Sequence, residues 1–194
     1  MTMPSRKDRY TFADILEWPE DVRVELIDGE IYMMSPPPTT KHQEISMELS
    51  LQIGGYLKGK SCKVFHAPFG VRLFEEPEDD PEDSDTMVEP DLAIICDPGK
   101  LDKHGCKGAP DMVVEILSPA TRRRDSLVKL NLYQQAGVRE YWIVDPETET
   151  VMVHLLGEDG IYRVQGHGRG DTVKVNVLED CQVVLAEVFP EESE

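Results

Sequence analysis

Two short apolar runs, each carrying one carboxylate, limit most strongly what this chain can become. They are EPDLAIICD, starting at Glu89, and APDMVVEILSP, starting at Ala109. Both have the length and β-branched content of buried strands, and a carboxylate inside such a strand needs a partner to offset its desolvation. Side chains alternate along a strand, so positions 89, 91 and 93 share one face, as do 111, 113, 115 and 117. If the two strands are neighbours in register, Asp91 and Glu115 approach to about 5 Å. Two like charges roughly 4 Å apart at an effective dielectric near 20 repel by about 4 kcal/mol, which forces protonation or recruits a cation.

Composition places few obstacles before a folded core. With 194 residues and 40% apolar content the chain suits a single domain over 1–194, with one sizeable core. No apolar run reaches the length of a membrane span, and MTMPSRKDRYTFADILEW at the start lacks the apolar centre of a signal peptide, so the expected compartment is the cytoplasm. Cys62, Cys96, Cys106 and Cys181 form no C-x-x-C pair and are read as reduced thiols. The net charge of −18 is unlike that of most nucleic-acid binders. Its distribution is uneven. Between Lys100 and Lys129 seven Lys and Arg stand against four acids, a local +3, while Glu75 to Asp85 holds eight acids and two prolines. That acidic stretch, with its loop taken as 75–87, reads as solvated and mobile.

The remaining sequence supplies the frame. Thr11 caps a short helix to Trp18, ahead of Pro19, Glu20 and Asp21. VRVELIDGEIYMM is two apolar runs around Asp28-Gly29, a hairpin signal because Gly accepts positive φ. Ser35 to Pro38 forces an extended link. Thr40 and Gln43 fit a capping box for an amphipathic helix over 41–58, stopped by Gly59, with Ile45, Leu49, Ile53 and Tyr56 on one stripe. His42 lies in its first turn, where a lone histidine is more often a surface or capping residue than a ligand. Residues 62–74 read as one strand bent at Pro68 and Gly70. A helix starting near Thr121 runs to Ala136 and closes on Gly137. EYWIVD and TVMVHLL form a hairpin, short strands follow, and the acidic last residues are expected to fray.

On that helix Asp125, Lys129 and Tyr133 fall one turn apart and share a stripe. The unremarkable reading is an ordinary surface pair between Asp125 and Lys129. In the same spirit, Asp91 after Pro90 could cap a strand end and Glu115 could pair with Arg122. The sharper reading joins Asp91 and Glu115 through Mg²⁺, an ion that takes one or two carboxylates and keeps its other positions for water and phosphate oxygens. Lys129 then orients water or offsets developing charge. The marks of serine hydrolases, P-loop nucleotidases, zincins and dinucleotide-binding folds are missing.

These residues resemble a known family. Pro90-Asp91 followed by Glu115-Ile-Leu117 is similar to the PD-(D/E)XK nuclease superfamily. VELIDGEIYMMSPPPTTKHQ, EPDLAII, GAPDMVVEILSPATRRRD, KLNLYQQAGVREYWIVDP and AEVF occur in the order of its restriction-endonuclease branch, the Uma-two family, over residues 10 to 189. The resemblance implies an α/β (α+β) fold with a restriction-endonuclease-like core: a central mixed sheet flanked by helices, with extra N- and C-terminal hairpins. It also implies Mg²⁺-dependent hydrolysis of phosphodiester bonds, with Mn²⁺ as an alternative ion. Asp91 and Glu115 match the metal carboxylates, and Glu25 and His42 match other recurrent positions. One departure stands out. The superfamily lysine belongs two residues after the second acid, where this chain has Leu117, so Lys129 would supply the amine from the helix.

The expected activity is an endonuclease acting on DNA, with catalytic Asp91, Glu115 and Lys129, and with Lys100, Lys103, Lys107, Arg122, Arg123 and Arg124 receiving phosphates. A nuclease fold that binds or regulates without turnover is the alternative, permitted by the acidic charge and the displaced lysine. A homodimer is a further expectation, since cleaving two strands takes two sites and two-fold pairing is the commonest assembly.

Overall fold

The computed structural model describes residues 8–19, 22–34, 38–76, 78–119, 122 and 124–189, and at Pro81 and Arg124 the backbone alone. The expectations for Glu20, Asp21, residues 35–37, Thr121, Arg123 and the terminal 190–194 lie outside these residues.

The chain builds a mixed α+β architecture on two six-stranded sheets. The N-terminal part gives helix α1 (Phe12–Leu16), strands β1 (Val24–Ile27) and β2 (Glu30–Met33), and helix α2 (Thr40–Leu57). Strands β3 (Lys63–His66), β4 (Val71–Arg72), β5 (Met87–Val88), β6 (Leu92–Ile95), β7 (Leu101–Asp102), β8 (Gly105–Lys107) and β9 (Met112–Ile116) follow. Then come helix α3 (Leu130–Ala136) and strands β10 (Glu140–Asp145), β11 (Thr150–Leu156) and β12 (Tyr162–Gly168). A small pair, β13 (Thr172–Lys174) with β14 (Gln182–Val184), and the short helix α4 (Leu185–Val188) end the fold.

The central sheet runs β12-β11-β10-β9-β6-β3, and the second runs β2-β1-β5-β4-β8-β7. Only β9 and β10 pair in parallel within the central sheet, because α3 supplies the crossover between them. Alternation along the strands sorts the core into two layers. Leu92, Ile94, Met112, Val114, Ile116 and Trp142 face Ile45, Leu49, Ile53 and Leu57 of α2. Ala93, Ile95, Val113, Tyr141 and Ile143 face the other way, against Leu132 and Tyr133 of α3 and Val71 and Val88 of the second sheet. Glu115 lies between Val114 and Ile116 and therefore points into this second layer.

The hairpin at Asp28-Gly29 forms as the sequence indicates, with Ile27 opposite Glu30 and φ of 52° and 78° at the two turn residues. Both values lie in the left-handed region, which suits a two-residue turn matched to strand twist. At the end of α3, Gly137 adopts φ 84° and closes the helix.

Several expectations are corrected. The α2 cap is Thr39, whose side chain accepts from the His42 amide at 3.2 Å, so the helix begins one residue earlier than Thr40 and Gln43 suggested. Residues 62–74 split into β3 and β4, which lie in different sheets. The run from Glu89 is also divided. Pro90 has no amide to donate to a ladder, and β5 ends before it while β6 starts after Asp91. The helix expected up to Ala136 is not α-helical throughout: Arg122 is helical, Arg124–Lys129 form a π-helical turn, and that turn passes into α3. The acidic segment is anchored as well as solvated: Glu75 is buried against Arg72, Asp85 pairs with Arg9 at 2.9 Å, and Met87 already belongs to β5.

The cysteines differ from the thiol reading too. Cys62 and Cys96 form a disulfide, while Cys106 and Cys181 are free and buried. The antiparallel register sets Lys63 opposite Ile95, so residues 62 and 96 meet one step beyond that pair. A separation of 34 residues conceals this in the sequence.

Candidate active site

The antiparallel register of β6 and β9 pairs Leu92 with Val114, and one step further brings Asp91 opposite Glu115. Asp91 sits in the break made by Pro90, where its Oδ2 accepts the Ile116 amide at 2.7 Å. The neighbouring-strand expectation thus holds, although Asp91 itself is a strand-end residue. Its side chain is 21% exposed, against 5% for Glu115. Solvent meets the site at Asp91.

Glu115 receives two donors on one oxygen. Lys129 Nζ and Tyr133 Oη each donate to its Oε1 at 2.7 Å. Lys129 also lies 2.7 Å from Glu25 Oε1 and 3.8 Å from Asp125 Oδ1. The lysine therefore reaches the acid from the following helical segment, which places its amine beside Glu115 although residue 117 is leucine. Asp125 and Lys129 are each 2% exposed, so they are not a surface pair. The π turn carries both, and Tyr141 Oη fixes it by donating to the Asp125 carbonyl at 3.0 Å.

Glu25 and His42 complete the constellation from distant parts of the chain. Glu25 is fully buried on β1, and its Oε1 accepts the Glu89 amide at 3.1 Å beside the break that holds Asp91. His42, in the first turn of α2, places Nε2 3.4 Å from Asp91 Oδ2. Its Nδ1 is buried and, among the described residues, has no hydrogen-bond partner.

The electrostatics are unbalanced. Three carboxylates, from Glu25, Glu115 and Asp125, surround the Lys129 ammonium, and the charge of Asp91 also reaches Glu115. Burial pushes the Glu115 carboxyl well above the usual range despite the opposing pull of Lys129, with Asp125, Asp91 and Glu25 adding to the rise. Burial alone would lower Lys129, but the charges of Glu115, Glu25 and Asp125 outweigh it and hold the ammonium protonated. For His42 burial again opposes the charged form, and the hydrogen bond and charge of Asp91 reverse the sign, raising its pKa. A cluster with this surplus of acidic groups is suited to a cation. Among the described residues no group of three or more His, Cys, Asp or Glu side chains forms a ready-made metal cage. Mg²⁺ does not require one, since it is commonly held by one or two carboxylates and several waters.

The basic residues expected to meet phosphates are dispersed. Arg122 donates to both oxygens of Asp145, at 2.7 and 3.0 Å, and to Glu147 at 2.8 Å. It is engaged there and does not pair with Glu115. Lys100 Nζ donates to the Ala109 carbonyl at 2.6 Å, and with Lys107 it lines a cleft of about 710 Å³ that also holds Asp97, Asp111 and Arg139. None of the site carboxylates lines that cleft. Lys103 is exposed. Arg123 and the Arg124 side chain lie outside the described residues.

Asp125, Tyr133 and Tyr141 were not singled out as site residues by sequence. The stripe of Asp125, Lys129 and Tyr133 was the available signal, but an i, i+4 pair reads alike on a surface and in a core. Tyr141 gave no signal beyond its strand.

Comparison with known proteins places these features in a wider set. A family model described as "Putative restriction endonuclease", Uma2, matches residues 12–186. An uncharacterised protein of Synechocystis sp., slr1290, is 24% identical over 168 residues, covering 85% of this chain and 84% of its own. A crystal structure from Anabaena variabilis, described as "a putative nuclease belonging to DUF820", superposes with a TM-score of 0.71 at 20% identity. It covers 92% of this chain and 97% of its own, and it shows that the fold is shared.

Proposed function

Because the chain belongs to the Uma2 restriction endonuclease family, we propose that it is a divalent-metal-dependent endonuclease that hydrolyses phosphodiester bonds in DNA. The carrying observation is the β6–β9 register, which pairs Leu92 with Val114 and so sets Asp91, one residue before β6, level with Glu115, together with Lys129 Nζ 2.7 Å from Glu115. This is the chemical inventory of a PD-(D/E)XK site with its lysine moved from the strand to the helix.

Asp91 and Glu115 would hold Mg²⁺ or Mn²⁺, and the bound ion would supply Lewis acidity and a more acidic water. The protein's own contributions are separable from that. Lys129 and Tyr133 fix the Glu115 carboxylate in one orientation, and the Ile116 amide fixes Asp91. His42 closes one side of Asp91. With Glu25, Glu115 and Asp125 buried, Asp91 is the carboxylate that solvent reaches, and a divalent ion held there would offset its repulsion of an incoming phosphate.

A second reading has a specific observation behind it. Lys129 is 2% exposed and held among three carboxylates, so its amine meets a phosphate only if the π turn shifts. A protein in which that shift does not occur binds nucleic acid without cleaving it. Incubating supercoiled plasmid and short duplexes with Mg²⁺, Mn²⁺ or a chelator separates the readings. Nicking that needs metal and disappears in Asp91→Ala supports the nuclease. Retarded migration without product under every metal condition supports the binding protein.

A further inference from the structure

We propose that the chain forms a two-fold symmetric dimer by pairing helix α2 antiparallel with α2 of a second copy, on an axis through Leu51. One face of α2 is left uncovered by the described residues. Ile45, Leu49, Ile53 and Leu57 turn into the core, while Glu44, Met47, Leu51, Gly55 and Lys58 are exposed. At 100° per residue the second set lies on the opposite side of the helix from the first. Met47 and Leu51 are large apolar side chains at 60% and 59% exposure, which a helix solvated on its outer face does not need.

The spacing of the exposed set is palindromic. Its steps are three, four, four and three residues, symmetric about Leu51. An antiparallel pair with that centre brings Leu51 against its own counterpart, Met47 against Gly55 of the second copy, and Glu44 against Lys58 of the second copy. Each apolar and each charged contact therefore occurs twice, and the charges are opposite in sign. The same surface patch serves both copies, as an isologous interface requires. The 3-4 step is that of helices packed at a shallow angle.

Gly55 supports the same register. Glycine weakens a helix interior, and at neighbouring Gly54 a Cβ would at least touch Val64 Cγ1, at 3.4 Å. Among the described residues, a Cβ at Gly55 would meet nothing within 4 Å. The chain therefore gains nothing internally from a glycine there, whereas a Met47 laid across that position needs the space. Val184, whose amide N–H donates to Gln52 Oε1 of α2 at 2.8 Å, is also 36% exposed. With a rise of 1.5 Å per residue, the two His42 ends lie roughly 27 Å apart along the paired helices, so each copy keeps its own Asp91 open.

Sedimentation velocity on the full chain over a wide concentration range tests this independently of any nuclease activity. The expected result is a monomer–dimer equilibrium that Leu51→Glu shifts to monomer without changing the far-UV spectrum. Glu44→Lys and Lys58→Glu should each weaken association by about tenfold, and the two together should restore it. Leu51→Cys, lying on the axis, should form a self-disulfide under mild oxidation. A monomer at every concentration, a dimer indifferent to Leu51→Glu, or a double charge reversal that fails to restore association overturns the proposal.

Discussion

Lys129 Nζ donates to Glu115 Oε1 at 2.7 Å across a separation of 14 residues, from a π-helical turn to strand β9. The amine is thereby beside the second acid without standing two residues after it. Removing Lys129 leaves Glu25, Glu115 and Asp125 buried with no cation. Breaking a buried ion pair in this one-sided way typically costs about 3–5 kcal/mol. Lys129→Met is expected to lose stability on that scale in urea unfolding at neutral pH. A loss below about 1 kcal/mol, as for an exposed pair, would show that the cluster is already hydrated.

Tyr133 Oη makes the other donation to Glu115 Oε1. Hydrogen bonds to charged groups contribute about 1.5–3 kcal/mol. Tyr133→Phe is therefore expected to destabilise by about that amount, less than Lys129→Met, while the ring stays packed on Tyr141. Urea midpoints of the two variants check the order, and a reversed order would remove Lys129 from the centre of the network.

Asp145 gives a pH test away from the site. Its hydrogen bond to Arg122 holds the carboxyl below the usual aspartate value. A carboxyl lowered on folding adds stability that is present above its unfolded pKa and is lost as pH falls through the folded one. The stability difference between wild type and Asp145→Asn should be constant near neutrality and shrink below about pH 4, the ordinary aspartate range. A difference unchanged at pH 3 contradicts the pairing.

The thiols are countable. Unfolded, unreduced protein should titrate two thiols, Cys106 and Cys181, and four after reduction. In the native state burial raises the Cys106 thiol to about 12, so little thiolate is present near neutrality and alkylation there should be slow. The 62–96 link closes a loop that, on chain-entropy grounds, adds about 3–4 kcal/mol. Four thiols before reduction would remove the link and restore the reading made from spacing.

Local chemistry made some of this legible beforehand. Asp28-Gly29 can hardly be anything but a turn, and the alternation in MVVEI sent Glu115 to one face whatever surrounded it. Strand alternation brings Asp91 and Glu115 together if the two runs are neighbours, and the β6–β9 ladder, with Leu92 opposite Val114, sets them level one step beyond its end. What depended on non-local geometry was hidden. Cys62 and Cys96 meet only because β3 and β6 pair, Pro90 turns one apparent strand into two, and Arg122 finds Asp145 on β10. Glu25 and His42 entered only through family resemblance, since a buried Glu on a hairpin strand and a histidine in a first helical turn carry no mark of the amine and carboxylate they meet.

The claim that Asp91 and Glu115 share a divalent ion is tested most directly by titrating Mn²⁺ into the protein and following free ion by electron paramagnetic resonance. Wild type should bind one ion per chain, and Asp91→Asn, which keeps the side chain's size at a partly exposed position, should lose that binding with its circular dichroism unchanged. Equal Mn²⁺ binding by the two proteins, or none by either, would contradict the account.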